Sequence, residues 1–191
     1  MRKTAALLLV LALVTALAAP VLADFAYARI QARLSERMAT RTGPGTQYDE
    51  PGSFFSAGTD VTLISRAYDE RNGIWWVQAD FTYGGRRYRA YTGAKRFSGL
   101  NLSRLPVEVQ MGWGYTGTLG EGFLGPGMDY QAVRRIPAQV HALITGYEYN
   151  GREDRDYIQI DFYDSGIGCR RRAWVPEWSF DAEYNDYGMD W

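Results

Sequence analysis

Residues 43–48 read Gly-Pro-Gly-Thr-Gln-Tyr, and 82 residues later residues 125–130 read Gly-Pro-Gly-Met-Asp-Tyr. In each segment proline presets one φ angle and glycine tolerates φ values that other residues avoid, so both segments are predicted to form tight turns. Two such similar turn signals at long spacing suggest that part of the chain is duplicated.

Three further landmarks recur in the same order, at offsets of 81 to 83 residues. They pair residues 76–81 with 157–162, residues 89–92 with 172–175, and Phe97 with Phe180. Chance similarity rarely keeps both order and spacing over four landmarks. The sequence therefore predicts two copies of one structural unit.

Each copy has the alternating pattern of strands that are half buried in a core. Val77, Ala79 and Phe81 fall on alternate positions, as side chains on one face of a strand do. The glycine-containing residues 83–86 follow and predict a hairpin turn. With the neighbouring β-type runs, each copy has about five short strands in roughly 60 residues, which predicts an all-β fold.

The N-terminus has the three parts of a secretory signal peptide. Two basic residues open the chain, residues 5–19 are almost wholly apolar, and small or apolar side chains follow at residues 21–23. This predicts a signal peptide at residues 1–23 and a secreted or cell-wall-associated protein, with no membrane association after cleavage. The alternative is an uncleaved membrane anchor, although the apolar run is shorter than the roughly 20 residues of a spanning helix.

The charge of the chain argues against one class of partner. The net charge of −1 becomes −3 when the leader residues Arg2 and Lys3 are removed. General nucleic-acid binding needs a basic surplus. We therefore expect no nucleic-acid partner.

The combined motif resembles the bacterial SH3 (SH3b) domain family. In the first copy Arg41 precedes the Gly-Pro-Gly turn, Trp75 and Trp76 open the alternating strand, and Ala90 and Tyr91 lie in the strand after the hairpin. That family typically has an Arg-x-Gly-Pro-like turn that ends near a tyrosine, and a closing Gly-Trp-Val strand. Alanine and tyrosine stand here where the family usually has glycine and tryptophan.

The resemblance implies two tandem small SH3-like β-barrels joined by a loop-rich linker. The predicted parts are the signal peptide 1–23, a first barrel 24–97, a linker 98–117, a second barrel 118–182 and an acidic aromatic tail 183–191. Part of the linker reads as an extended stretch, so we expect it to pair with a barrel. That pairing would fix the two barrels relative to each other and form a cleft between them, which is an alternative binding place.

The resemblance also implies a non-catalytic binding protein that recognises cell-wall peptide, peptidoglycan or another surface ligand in shallow aromatic grooves. Aromatic rings suit such grooves because they give contact area at low entropic cost. An alternative is a protein–protein adaptor or signalling ectodomain with a protein ligand and no affinity for the wall. The candidate ligand-binding residues are Arg41, Tyr48, Trp75, Trp76 and Tyr91 in the first copy, and Tyr130, Tyr157 and Trp174 in the second.

The second copy departs from the pattern at two places. Leu124 precedes its Gly-Pro-Gly turn, so the leading arginine is missing, and Asp156 stands where the first copy has Trp75. We therefore expect the first copy to be the better candidate for ligand contact.

Arginine-rich runs occupy equivalent hairpin positions, at residues 86–89 and 170–172. Guanidinium groups pair well with carboxylates and phosphates, so the runs could bind an anionic ligand. We favour the interpretation that they form solvated strand edges, where charge discourages aggregation.

Catalysis has weak support in the sequence. After the leader is removed, Cys169 and His141 are the only cysteine and histidine. The arginines that follow Cys169 would lower its thiol pKa, so a cryptic cysteine hydrolase is a second alternative. One histidine and one cysteine cannot make a structural zinc cluster, and no phosphate-binding Gly-Lys-Ser or Gly-Lys-Thr segment is present. We expect neither an enzyme nor a bound metal or cofactor.

Overall fold

A computed structural model of the chain describes residues 29–52, 54–117, 120–133 and 135–184. The predicted signal peptide 1–23 and most of the predicted tail lie outside the described residues. Within the described ranges, no helix is long and apolar enough to cross a bilayer.

Most of the strands form two antiparallel sheets. The first sheet has the order β1-β4-β5-β6, and its strands are β1 Ile30–Arg33, β4 Asp60–Asp69, β5 Ile74–Tyr83 and β6 Arg86–Gly93. A two-stranded ribbon joins β2 Met38–Ala39 to β3 Phe54–Phe55. The second sheet has the order β10-β9-β8-β7-β11, and its strands are β7 Gly112–Thr116, β8 His141–Asn150, β9 Arg155–Asp164, β10 Cys169–Pro176 and β11 Phe180–Tyr184.

The all-β prediction is confirmed. The described residues contain no α-helix, only three short 3₁₀ turns. Neither sheet closes into a barrel over those residues, because each strand order ends on two different edge strands.

The internal repeat is visible strand by strand. Strands β4, β5 and β6 have 10, 10 and 8 residues, and so do β8, β9 and β10. Each repeat also shifts register once, between Leu63 and Ser65 in the first and between Ile144 and Gly146 in the second. A shared bulge at the same step means that both central hairpins twist at the same point.

Each repeat has its own apolar core, made from the inward positions of its strands. In the first repeat, the alternation predicted at Val77, Ala79 and Phe81 is seen as burial on one face of β5. In the second repeat, Ile158, Ile160 and Phe162 do the same on β9. The intervening Gln78 is also buried, because the other repeat covers the second face of the strand.

The segment that joins the repeats is packed against the first sheet. Leu105 is buried in the first core, and the backbone of Arg66 exchanges hydrogen bonds of 2.9 Å with Pro106 and Glu108. Strand β7 lies inside the predicted linker 98–117 and pairs with β8.

Over the described residues, the second sheet has one strand that the first lacks. Strand β11 pairs with the outer edge of β7, whereas β1 is itself the edge of the first sheet. Residues 183 and 184, which the sequence assigned to the tail, belong to β11.

Candidate functional site

The two Gly-Pro-Gly turns cross between the repeats. Tyr48, at the end of the first turn, forms a parallel bridge with Arg170 on β10. Tyr130, at the end of the second turn, forms the equivalent bridge with Arg87 on β6. Each repeat therefore receives the turn of the other along its own edge strand, in an approximately two-fold arrangement that we call the crossed turns (residues 43–48 and 125–130).

Tyr48 is held by a buried carboxylate of the second repeat. Its hydroxyl donates a hydrogen bond of 2.5 Å to Asp161. The same carboxylate accepts hydrogen bonds from Arg170 at 2.5 Å and from Arg172 at 2.8 Å. Burial raises the pKa of the Tyr48 hydroxyl to about 12, and the nearby Asp161 charge adds to the rise.

Tyr130 has the mirror set of contacts in the first repeat. Its hydroxyl donates to Asp80 at 3.1 Å, and Arg87 places its guanidinium 4.1 Å from the ring centroid. Arg89 binds Asp80 with two hydrogen bonds of 2.7 and 3.1 Å and reaches Glu148 at 2.5 Å. Burial raises the pKa of Tyr130 as well.

The expectation that the arginine runs form solvated strand edges is wrong for three of the arginines. Arg89, Arg171 and Arg172 are buried. Burying an unpaired guanidinium is costly, so each is paired with a carboxylate. For Arg171 that carboxylate is Asp164, at 2.7 Å.

We call the contact region between the two repeats the junction. Its centre holds the equivalent residues Tyr91 and Trp174. Arg172 lies 5.2 Å from the ring centroid of Tyr91, and Arg89 lies 5.2 Å from that of Trp174. The Tyr91 hydroxyl donates to Glu108 at 2.7 Å. Because Glu108 also accepts from Arg172 at 2.5 Å, the joining segment ties both repeats together.

The other predicted site residues differ in their surroundings. Tyr157 packs with Tyr130 and Trp174 in one buried apolar cluster, and the backbone of Arg41 pairs with that of Tyr91. Arg41 donates to the Tyr48 carbonyl and pairs with Glu50 at 2.6 Å, so it stabilises its own turn. Trp75 is half-buried, and its ring lies 5.1 Å from the exposed ring of Tyr68. Trp76 and Tyr157 occupy equivalent positions and are both buried.

The structure thus brings together five of the predicted residues and surrounds them with protein. They are Tyr48, Tyr91, Tyr130, Tyr157 and Trp174. Their conserved place in both copies reflects contacts between the repeats. Ligand contact by the eight predicted residues stays a prediction.

An apolar groove opens on the second repeat, and we call it the Trp178 groove. It has a volume of about 240 Å³. Its apolar walls are Phe123, Met128, Ile136, Tyr157, Val175 and Trp178. It lies between the loop that follows β7, the start of β9 and the end of β10.

Trp178 is the residue that the sequence reasoning missed. Its side chain is 76% exposed although it is large and aromatic, and Met128 beside it is exposed as well. The equivalent residue of the first repeat is Lys95, in the matching 3₁₀ turn. The two copies differ at this position, with tryptophan in one and lysine in the other. Comparing the two copies would have singled out Trp178.

A second cleft runs between the repeats, as the pairing of the joining segment predicts. It has a volume of about 560 Å³ and is lined by residues from both repeats, among them Glu70, Arg71, Leu143 and Arg170. Its walls carry more charge than those of the Trp178 groove.

Cys169 is not activated by the arginines that follow it. Burial raises the pKa of its thiol, and the Asp49 carboxylate adds to the rise against the opposing charge of Arg171. The expectation of a lowered thiol pKa is therefore wrong. The His141 ring packs at an angle against Trp113 and Tyr115, at centroid distances of 5.5 and 5.4 Å.

Comparison of the chain with protein-family models, with curated proteins and with solved structures gave no match.

Proposed function

We propose that this chain is an exported, non-catalytic binding protein made of two diverged SH3-like units, and that it binds an extended apolar peptide, such as a cell-wall peptide, in the Trp178 groove. The observation that carries the proposal is the exposure of Trp178 at the mouth of an apolar groove. Exposed apolar patches rimmed by polar residues mark interaction sites, and tryptophan is enriched among the residues that carry binding energy.

The walls of the groove suit a peptide chain. Trp178 and Met128 give exposed apolar contact. Phe123 and Tyr157 line the groove but are themselves largely buried, and Glu121 and Arg155 add polar groups. Such a mixture of aromatic surface with a few polar groups is typical of sites that orient a small ligand. The binding site thus moves from the first copy, which the sequence favoured, to the second.

The groove is tested by replacing Trp178 with the residue of the other copy. We expect wild-type mature protein to be retained on purified peptidoglycan and Trp178→Lys to lose most of that retention. Tyr83→Lys serves as the control, because Tyr83 is an exposed aromatic residue of the first sheet that does not line the groove. Retention of wild type no better than that of an unrelated protein would exclude a wall ligand, whereas equal retention of the Trp178 variant would exclude the groove.

Export is tested separately, by sequencing the N-terminus of the protein recovered outside the cytoplasm. We expect it to begin at Asp24. Recovery of a chain that still begins at Met1 in the membrane fraction would instead support the uncleaved anchor.

A further inference from the structure

The open face of the second sheet carries an ordered set of aromatic and acidic side chains. The register places Glu183 of β11 opposite Trp113, and Asp181 opposite Tyr115. On the other side of β7, Tyr115 lies opposite His141. Cross-strand partners project to the same face of a sheet. These five residues therefore form one surface, which we call the aromatic–acidic face.

The three rings of this face touch one another at an angle. The Trp113 and Tyr115 rings are 6.1 Å apart and nearly perpendicular, with an interplanar angle of 81°. His141 lies 5.5 Å from Trp113 and 5.4 Å from Tyr115. Tyr115 and His141 are exposed and Trp113 is half-buried, so the rings form a solvent-facing corner.

The first sheet shows that the fold does not need these rings. On β7 and β8, Trp113 pairs with Leu143 and Tyr115 pairs with His141. At the equivalent positions of β1 and β4, Gln31 pairs with Thr62 and Arg33 pairs with Asp60. A polar set thus forms the same pairing elsewhere in this chain. The exposed rings of the second sheet are an addition that packing does not explain.

The charges of the face favour a cation. Asp181 and Glu183 are exposed on the edge strand beside the rings. On the same face, Arg170 and Arg172 lie across the sheet on β10, and both are bound to Asp161. The negative faces of aromatic rings and two carboxylates together are complementary to an ammonium or guanidinium group.

We infer that the aromatic–acidic face binds an organic cation on a peptide, of the lysine-ammonium type. None of its five residues lines the Trp178 groove, so the two sites can be tested independently. Occupation of both surfaces by one ligand is not required.

The test uses the full mature chain, labelled with ¹⁵N, and a blocked Gly-Gly-Lys-Gly-Gly peptide at low ionic strength. We expect the peptide to shift the amide resonances of residues 113, 115, 141, 181 and 183, and a peptide with norleucine in place of lysine to leave them unchanged. The isosteric double variant Asp181→Asn, Glu183→Gln should weaken binding about fivefold, as loss of exposed ion pairs beside an aromatic site predicts.

The control variant is Asp60→Asn, which removes a carboxylate from the equivalent face of the first sheet and should leave the affinity unchanged. Tyr115→Phe should keep most of the affinity, because the ring remains. Equal shifts with the norleucine peptide, or undiminished binding by the double amide variant, would overturn the inference. An N-acetylglucosamine oligomer that shifts the same resonances, whether or not the carboxylates are present, would assign the face to a saccharide and overturn it too.

Discussion

Gly43 and Gly125 are required by packing. A Cβ atom at Gly43 would lie 2.2 Å from the Tyr48 ring, and one at Gly125 would lie 2.2 Å from the Tyr130 ring. Neither tyrosine can move aside cheaply, because its hydroxyl is bound by the other repeat. The two glycines let each turn fold back onto its own tyrosine.

Gly43→Ala should therefore lower the free energy of unfolding by about 2 kcal/mol or more, as forced overpacking does. Gly93→Ala is the matched control, because Gly93 has a φ of −64° and no neighbour within 4 Å of its virtual Cβ. Its cost should stay within about 0.5 kcal/mol. Urea unfolding of the two variants measures the difference, and equal midpoints would show that the turn adjusts without strain.

The two tyrosine hydroxyls should differ in their contribution to stability. Tyr48→Phe removes a donor to Asp161, whose side chain is 3% exposed, and should cost about 1.5–3 kcal/mol. Tyr130→Phe should cost less, because its bond to Asp80 is longer at 3.1 Å and that carboxylate is more exposed. Arg87, which also donates to the Tyr130 hydroxyl, is partly exposed and can bind water instead. Chemical denaturation of the pair checks the order, and a larger loss for Tyr130→Phe would contradict it.

At the scale of elements, β6 and β10 each have two functions. Each is paired in its own sheet with the preceding strand, and each also receives the turn of the other repeat. The alternation of apolar and polar residues predicted which side chains of these repeats face the core, because that alternation depends only on local spacing. Burial of Gln78 and Gln159 on the second face could not be read from that spacing, because it depends on which repeat covers the strand.

The added strand β11 depends on a small residue in β7. A Cβ at Gly114 would meet the backbone oxygen of Asp181 at 2.0 Å. The equivalent residue of the first repeat is Ala32, on the edge strand β1, with which no further strand pairs in the described part of the chain. Alanine is thus tolerated at this position only where the outer strand is missing.

Gly114→Ala should separate β11 from β7 and expose Phe180, which is buried in the second core. We expect faster amide hydrogen exchange in residues 180–184, with exchange in β5 unchanged. The control is Ala32→Gly, which should leave exchange in the second sheet as it is. Unaltered protection of β11 in the Gly114 variant would mean that the strand can shift to make room.

At the scale of the molecule, the junction between the repeats is rich in buried phenols. Burial raises the pKa of Tyr48 to about 12 and raises those of Tyr91 and Tyr130 as well. A raised pKa in the folded state means that folding favours the protonated phenol. The resulting stability is complete below the unfolded value of about 10 and is lost as the pH rises through the folded value.

We therefore predict a steep loss of stability between about pH 10 and pH 12. The phenolate absorbance of the junction tyrosines should appear together with unfolding, and urea midpoints should be nearly constant from about pH 7 to pH 9. Tyr48→Phe should lose less stability than wild type over the alkaline range. A gradual phenolate titration in the still-folded protein would show that the junction admits hydroxide without opening.

The sequence predicted the duplication and the all-β class because both depend on patterns within one copy. The crossed turns escaped prediction for a physical reason. Tyr48 and Tyr130 recur at the same place, which agrees equally well with a tyrosine that contacts its own repeat and with one that contacts the other. Only the fold shows that the carboxylate bound by Tyr48 is 113 positions away.

This exchange of turns also constrains how the gene can drift. A change at Tyr48 is felt at Asp161, in the other copy, and a change at Tyr130 is felt at Asp80. Compensating mutations must therefore arise in the opposite half of the coding sequence. Selection therefore acts on pairs of residues that have one member in each copy. Such pairs are expected to change together even where the rest of the two copies has diverged.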